Sequence, residues 1–165
     1  MQYLPILQHP DSRLRVKATT VESFDKELAN QADKMLATMY DANGIGLAGT
    51  QVDFHRRLIV VDVSENRDAP ITLVNPEILL IGETVSSEEG CLSIPGVHDT
   101  VKRSDRINIS AKSIDGSKLE MEAEGMLAIC IQHECDHLDG ILFIDHLSSL
   151  KRKRINEKLK KAPEL

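Results

Sequence analysis

A run of apolar residues, Met126-Leu127-Ala128-Ile129-Cys130-Ile131, leads almost directly into His133-Glu134-Cys135-Asp136-His137. The segment at about 125–138 is apolar nearly all round in its first half and reads as an interior helix, with Gly140 placed to close it. At about 100° per residue, positions four apart share one face a turn apart, so both imidazoles can reach a single ion. Glu134 projects beside them, where a carboxylate can take a proton from water and return it to a leaving group. The bland alternative is a chance match on a solvated helix. Burial argues against it, because unpaired His and Glu in an apolar interior would cost on the order of several kcal/mol. The fold must therefore enclose a polar helix face that is competent to hold a metal.

The rest of the chain supplies the enclosure. A helix is predicted at about 21–40, with Thr19 and Glu22 as a capping box and Phe24, Leu28, Ala32, Met35, Leu36 and Met39 as its apolar stripe. Asn43-Gly44 ends it. The β-branched run at 58–63 reads as a buried strand, and 71–74, 83–86, 106–111 and 119–123 read as shorter ones, with Asp115-Gly116 as a hairpin turn. A last helix is predicted at about 149–161. Helix, several strands, buried helix and tail helix, without repeat or linker, give one α+β domain over 1–165: mainly antiparallel or mixed strands around the buried helix. Three cysteines are an odd number without the dense spacing of a disulfide framework, so reduced thiols or metal ligation are expected. No stretch approaches the roughly 20 apolar residues of a membrane span, and the start of the chain lacks a secretory pattern. A cytoplasmic protein is expected.

Two imidazoles leave a catalytic site one protein ligand short. The pattern HExxHxxGxxH fails, since Phe143 stands where its third His would be. Glu157 and Glu164 lie in a basic tail, and His146 follows the helix end. Cys135 is two residues from His133, about 200° round the helix, and reads as a core thiol. Cys91, in Glu89-Gly90-Cys91-Leu92-Ser93, is flanked by glycine in an irregular stretch; a thiolate with two imidazoles suits zinc or ferrous iron. Gly44, Gly46 and Gly49 also satisfy GxGxxG. That fingerprint must follow a strand and open a helix, whereas here it follows a helix and precedes a strand, so no nucleotide cofactor is expected.

Three motifs in this order, Gly44-Ile45-Gly46-Leu47-Ala48-Gly49-Thr50-Gln51, Glu89-Gly90-Cys91-Leu92-Ser93 and His133-Glu134-Cys135-Asp136-His137, resemble those of the bacterial-type peptide deformylases. The similarity runs from His9-Pro10-Asp11 to the tail helix. It implies a hydrolase that removes the N-formyl group from N-formylmethionyl peptides and releases formate. It implies Cys91, His133 and His137 as ligands of one divalent metal, with water in the fourth position and Glu134 as general base and then acid. The metal would be Fe2+ in the cell, with Zn2+, Ni2+ or Co2+ in purified protein. The Gln51 amide and the Leu92 backbone N–H would steady the oxyanion. Substrate would lie extended along Gly44, Ile45, Gly46 and Gly90, its methionine in a pocket of Ile45, Ile129 and Cys130 with His98 at the rim. By residue type alone Ile45, Ile129 and Cys130 are equally ordinary core, and Gln51 an ordinary surface residue.

The chain departs from the family's pattern at Gly49, where a second Ala is usual, at Cys135, where Met is common, and at His98, where Arg or an aromatic is frequent. The tail 147–165 has seven basic residues after position 150 against two acidic ones, leaving the first 150 residues at −11. It is either a solvated helix packed through Leu147, Leu150, Ile155 and Leu159 or, as the resemblance implies, a helix that docks near the ribosomal tunnel exit. Two rivals share parts of this pattern: a zinc endopeptidase, and a noncatalytic ribosome-binding protein with a structural metal.

Overall fold

The computed structural model describes residues 3–161, so Glu164 and the ends of the 1–165 domain and 147–165 tail assignments lie outside it. Its frame is a five-stranded antiparallel sheet in the order β1 (Gly46–Ala48), β2 (Leu58–Val61), β3 (Ile71–Leu80), β6 (Arg106–Lys112) and β7 (Lys118–Glu124). Two further strands, β4 (Thr84–Cys91) and β5 (Ile94–Ser104), pair only with each other. Helices α1 (Lys26–Asp41), α2 (Gly125–Leu138) and α3 (Ser149–Lys161) complete the α+β domain.

Strand β2 is buried on both faces, which is why it reads as an unbroken apolar run. Leu58 and Val60 face α1, packing with Leu28, Met35 and Met39, while Ile59 and Val61 face α2, packing with Ala128 and Ile131. The sheet is thus covered by α1 on one side and by the metal-competent helix on the other. A third core lies under the β4–β5 pair, where Ile94, Val97 and Val101 meet Leu7, Leu14, Leu142, Phe143, Ile144, Leu147 and Ile155.

Strand β1 was not expected, and β3 and β4 run on to Leu80 and Cys91, past the expected 71–74 and 83–86, so that Cys91 closes a strand and does not lie in an irregular stretch. Two further elements differ from expectation. Helix α1 begins at Lys26, not near Val21, because the Asp25 side chain accepts from Leu28 N–H at 3.0 Å and sets the N-cap there. Thr19, expected to cap it, is instead held in a bridge with Arg56, and Val21 is pinned through both its backbone groups to the Asn75 side chain. Phe24 therefore joins the α1 core from outside the helix. Strand β5 was not anticipated: Pro95 and Gly96 interrupt its pattern, and its inward residues include the charged Arg103, so alternation of polarity does not mark it. The helices at 125–138 and 149–161 and the hairpin across Asp115-Gly116 are as expected, with Gly140 at φ +76 just beyond α2.

The loop after β2 folds around one carboxylate. Asp62 is buried and accepts from Tyr40 Oη at 2.6 Å, from both Ser64 N–H and Oγ, and from Ala69 N–H. Burial alone would raise its pKa, but these donors more than offset it and hold the carboxyl at about 2. An unfolded Asp titrates near about 4, so Asp62 stabilises the fold above that pH and loses its contribution as pH falls through about 2. Urea midpoints measured from pH 5 to pH 2 should fall less steeply in Asp62→Asn than in the parent; parallel curves would place the acid sensitivity elsewhere.

Candidate active site

Helix α2 brings His133, Glu134 and His137 into the interior, all buried. The two Nε2 atoms are 3.2 Å apart, and Cys91 Sγ lies 3.3 Å from that of His137. All three donor atoms fall within 4.8 Å of one another. Cys91 arrives at the end of β4, where the register slips after Gly90 and the chain turns through Leu92-Ser93. Glu89 Oε1 lies 2.9 Å from His133 Nδ1; a proton there is donated to the carboxylate, which leaves the Nε2 lone pair facing the other two donors. A thiolate and two imidazoles so gathered fit one divalent ion of the zinc or ferrous kind. His146, the other histidine near this helix, is turned to Asp136 at 2.8 Å and stands outside the cluster.

Charges around the cluster are strongly biased. Burial pushes the Glu134 carboxyl up to about 7, with His133 drawing it the other way. Burial and then the neighbouring His133 lower the pKa of His137 well below the ordinary imidazole value, so it is neutral and free to coordinate. Glu134 Oε1 and His137 Nδ1 are buried without a hydrogen-bond partner among the described residues. Cys135 is a half-buried thiol packed against the core and outside the donor cluster, pushed up to about 12 by burial.

Gln51 is buried rather than superficial. Its Oε1 accepts from Ala48 N–H at 2.9 Å, which turns Nε2 toward Ser93 Oγ at 3.1 Å and Cys91 Sγ at 3.5 Å. A cavity of about 440 Å³ opens beside these groups, walled by Gly44, Ile45 and Gly46 on one side and by Gly90, Leu92 and His98 on the other. Ile129, Cys130, Glu134 and His133 form its floor. Gly46 is required there by space: a Cβ would stand 2.5 Å from Glu134 Oε2 and 2.8 Å from Cys130 Sγ. At Gly90 a Cβ would stand 2.6 Å from the ring of its β5 partner His98, an exposed side chain with room to swing aside. At Gly49 a Cβ would meet the Phe54 carbonyl at 2.5 Å, which accounts for the absence of alanine. Every residue singled out from the sequence as a site residue thus lines this cavity or the donor cluster.

Three residues were not singled out. Arg103 makes a two-pronged ion pair with Glu89 at 2.8 and 2.9 Å and reaches Asp136 at 2.6 Å, so it steadies the carboxylate behind His133. Against the burial that would raise it, Arg103 and His133 hold Glu89 at about 2. Glu89 and Asp136 lay within quoted motifs without an assigned part; nothing local in the sequence marks Arg103.

Among the described residues no helix is long and apolar enough to cross a membrane. The family model for polypeptide deformylase matches residues 3–153. A peptide deformylase of Chromobacterium violaceum is 55% identical over 162 residues, which cover 98% of this chain and 96% of the relative. The crystal structure of a peptide deformylase from Legionella pneumophila superposes with a TM-score of 0.93 at 44% identity, over 97% of this chain and 95% of that one. One from Synechococcus elongatus, in complex with actinonin, does so with a TM-score of 0.88 at 43% identity, over 96% and 86%. With the model matched almost end to end and the same motifs gathered at one cavity, the chain belongs to the polypeptide deformylase family.

Proposed function

We propose that this protein removes the N-formyl group from N-formylmethionyl peptides by hydrolysis, releasing formate and a free amino terminus. The observation that carries this reading is the meeting of the Cys91, His133 and His137 donors with Glu134 and the Gln51 amide at one cavity. A divalent ion held by Cys91 Sγ and the two imidazoles would acidify water and polarise the formyl carbonyl. Ferrous iron is the proposed cellular ion; zinc, nickel or cobalt suit the same donors in purified protein.

Glu134 takes the proton of the attacking water and hands it to the departing amine nitrogen. Its burial favours the neutral acid, and a cation beside it favours the carboxylate, so the group is placed to serve in both forms. Gln51 Nε2 and the Leu92 N–H donate to the oxygen on which negative charge develops. Ala48 holds the other end of the Gln51 amide, so that donor is oriented before substrate arrives. The peptide lies between Gly44-Ile45-Gly46 and Gly90, two backbone edges that lack bulky side chains at the points of approach. Its methionine enters between Ile45, Ile129 and Cys130, under His98.

The proposed setting is the cytoplasm, with residues 1–165 acting as one domain. Helix α3 in the 147–165 tail presents Lys153, Arg154, Lys160 and Lys161 to solvent, and this basic face suits contact with ribosomal phosphates near the tunnel exit.

Formate release from formyl-Met-Ala-Ser by anaerobically purified, iron-loaded protein tests the reading. Release is expected from this peptide and not from its acetylated counterpart; stripping with dipicolinate should abolish it and added Fe2+ restore it. Cleavage of an internal bond in a blocked, unformylated peptide would instead favour the endopeptidase, and no reaction from loaded, folded protein would leave a noncatalytic metal protein.

A further inference from the structure

Gly44 is fixed at both its backbone groups. Its N–H donates to the Met39 carbonyl at 2.9 Å, at the end of α1, and its carbonyl accepts from the Arg67 guanidinium. Arg67 lies in the loop built on Asp62, with its own backbone at φ +55, and its guanidinium sits 5.0 Å over the Tyr40 ring. Tyr40 is itself tied to Asp62 at 2.6 Å. The donor is therefore held from two sides before it meets the Gly44 oxygen.

A trans peptide unit directs its C=O and the following N–H in opposite senses. Gly44 and Ile45 wall the cavity, whereas Arg67 does not. The carbonyl held by Arg67 is thus drawn away from the cavity, and the Ile45 N–H of the same unit is turned toward it. That N–H meets no acceptor among the described residues, while the Ile45 carbonyl is already used by Asp62 N–H at 2.8 Å.

We propose that Arg67 is a positioning residue for substrate: by clamping the Gly44 carbonyl it aims the Ile45 N–H at the backbone carbonyl of the bound formylmethionyl residue. This rests on the reading that the peptide lies along Gly44-Ile45-Gly46. Arg67 touches neither the metal donors nor Glu134, so it governs how well the peptide is held and not the proton transfers.

The decisive comparison is between formyl-Met-Ala-Ser and N-formylmethioninol, which keeps the methionine side chain but has no backbone carbonyl. In Arg67→Met, KM for the tripeptide should rise about five- to tenfold, the loss of one well-aimed hydrogen bond, with kcat within about twofold. KM for the alcohol should not move, and Arg67→Lys should recover part of the loss. Equal KM changes on both substrates, or none on either, would overturn the proposal. A second measurement needs no turnover: in zinc-loaded protein the Ile45 amide resonance should shift in Arg67→Met while those of His133 and His137 stay in place. An unmoved Ile45 resonance would refute the clamp whatever the reaction proves to be, whereas a shifted one in a protein that releases no formate would count against the proposed function alone.

Discussion

Replacing Glu134 by glutamine is expected to lower kcat for formate release by about a hundred- to ten-thousandfold, the range over which a positioned acid–base group contributes. The amide keeps the shape of the side chain, so it still fits against Gly46 and Cys130, but it can neither accept the water's proton nor return it. Metal content should not change, because Glu134 is not one of the three gathered donors. That separates this substitution from one at Cys91, which should lose the ion and the activity together. If Glu134→Gln kept more than about a tenth of the parent kcat with full metal occupancy, the proton would have to travel by another group, and Glu134 would be left as a structural neighbour of the site.

The second large effect is on stability. Arg103→Met should cost about 3–5 kcal/mol, because it removes one partner of a buried pair and leaves the Glu89 carboxylate uncompensated in the interior. The same change frees Glu89 to rotate away from His133 Nδ1, so metal affinity measured against a competing chelator should fall by about ten- to a hundredfold. The double variant Glu89→Gln with Arg103→Met should recover stability relative to Arg103→Met, since the only carboxylate then left without its guanidinium is the partly exposed Asp136, yet it should not recover metal affinity. If the double variant bound metal like the parent, the orientation of His133 would have to come from packing against Phe143 and not from Glu89.

The two kinds of residue in this network differ in how visible they are in sequence. His133 and His137 could be read because one helical period places them together and because the apolar run before them implies burial. Cys91 has no periodic relation to them; its place depends on a strand pairing with β5 that the sequence did not reveal, and only its motif pointed to it. Arg103 faces inward from that same strand. A charged residue at an inward position cancels the polarity signal that marks a half-buried strand, so the residue and its strand were hidden by one cause. The start of α1 was misplaced for a different reason. Thr19 with Glu22 is a valid local cap, but Asp25 offers another six residues later, and tertiary bonds from Thr19 and Val21 to Arg56 and Asn75 decide between them.

The core beneath the β4–β5 pair has a consequence for how the protein is made. Apart from Leu7 and Leu14, the residues that Ile94, Val97 and Val101 pack against, Leu142 to Ile155, are translated some forty or more residues after the pair itself. While the chain is still growing the pair has little to fold onto, and Cys91 is not brought up to the two imidazoles. The centre is therefore completed only after the segment that underlies the pair has been made. In the proposed role, a growing copy has no working centre until that segment has folded back onto the pair.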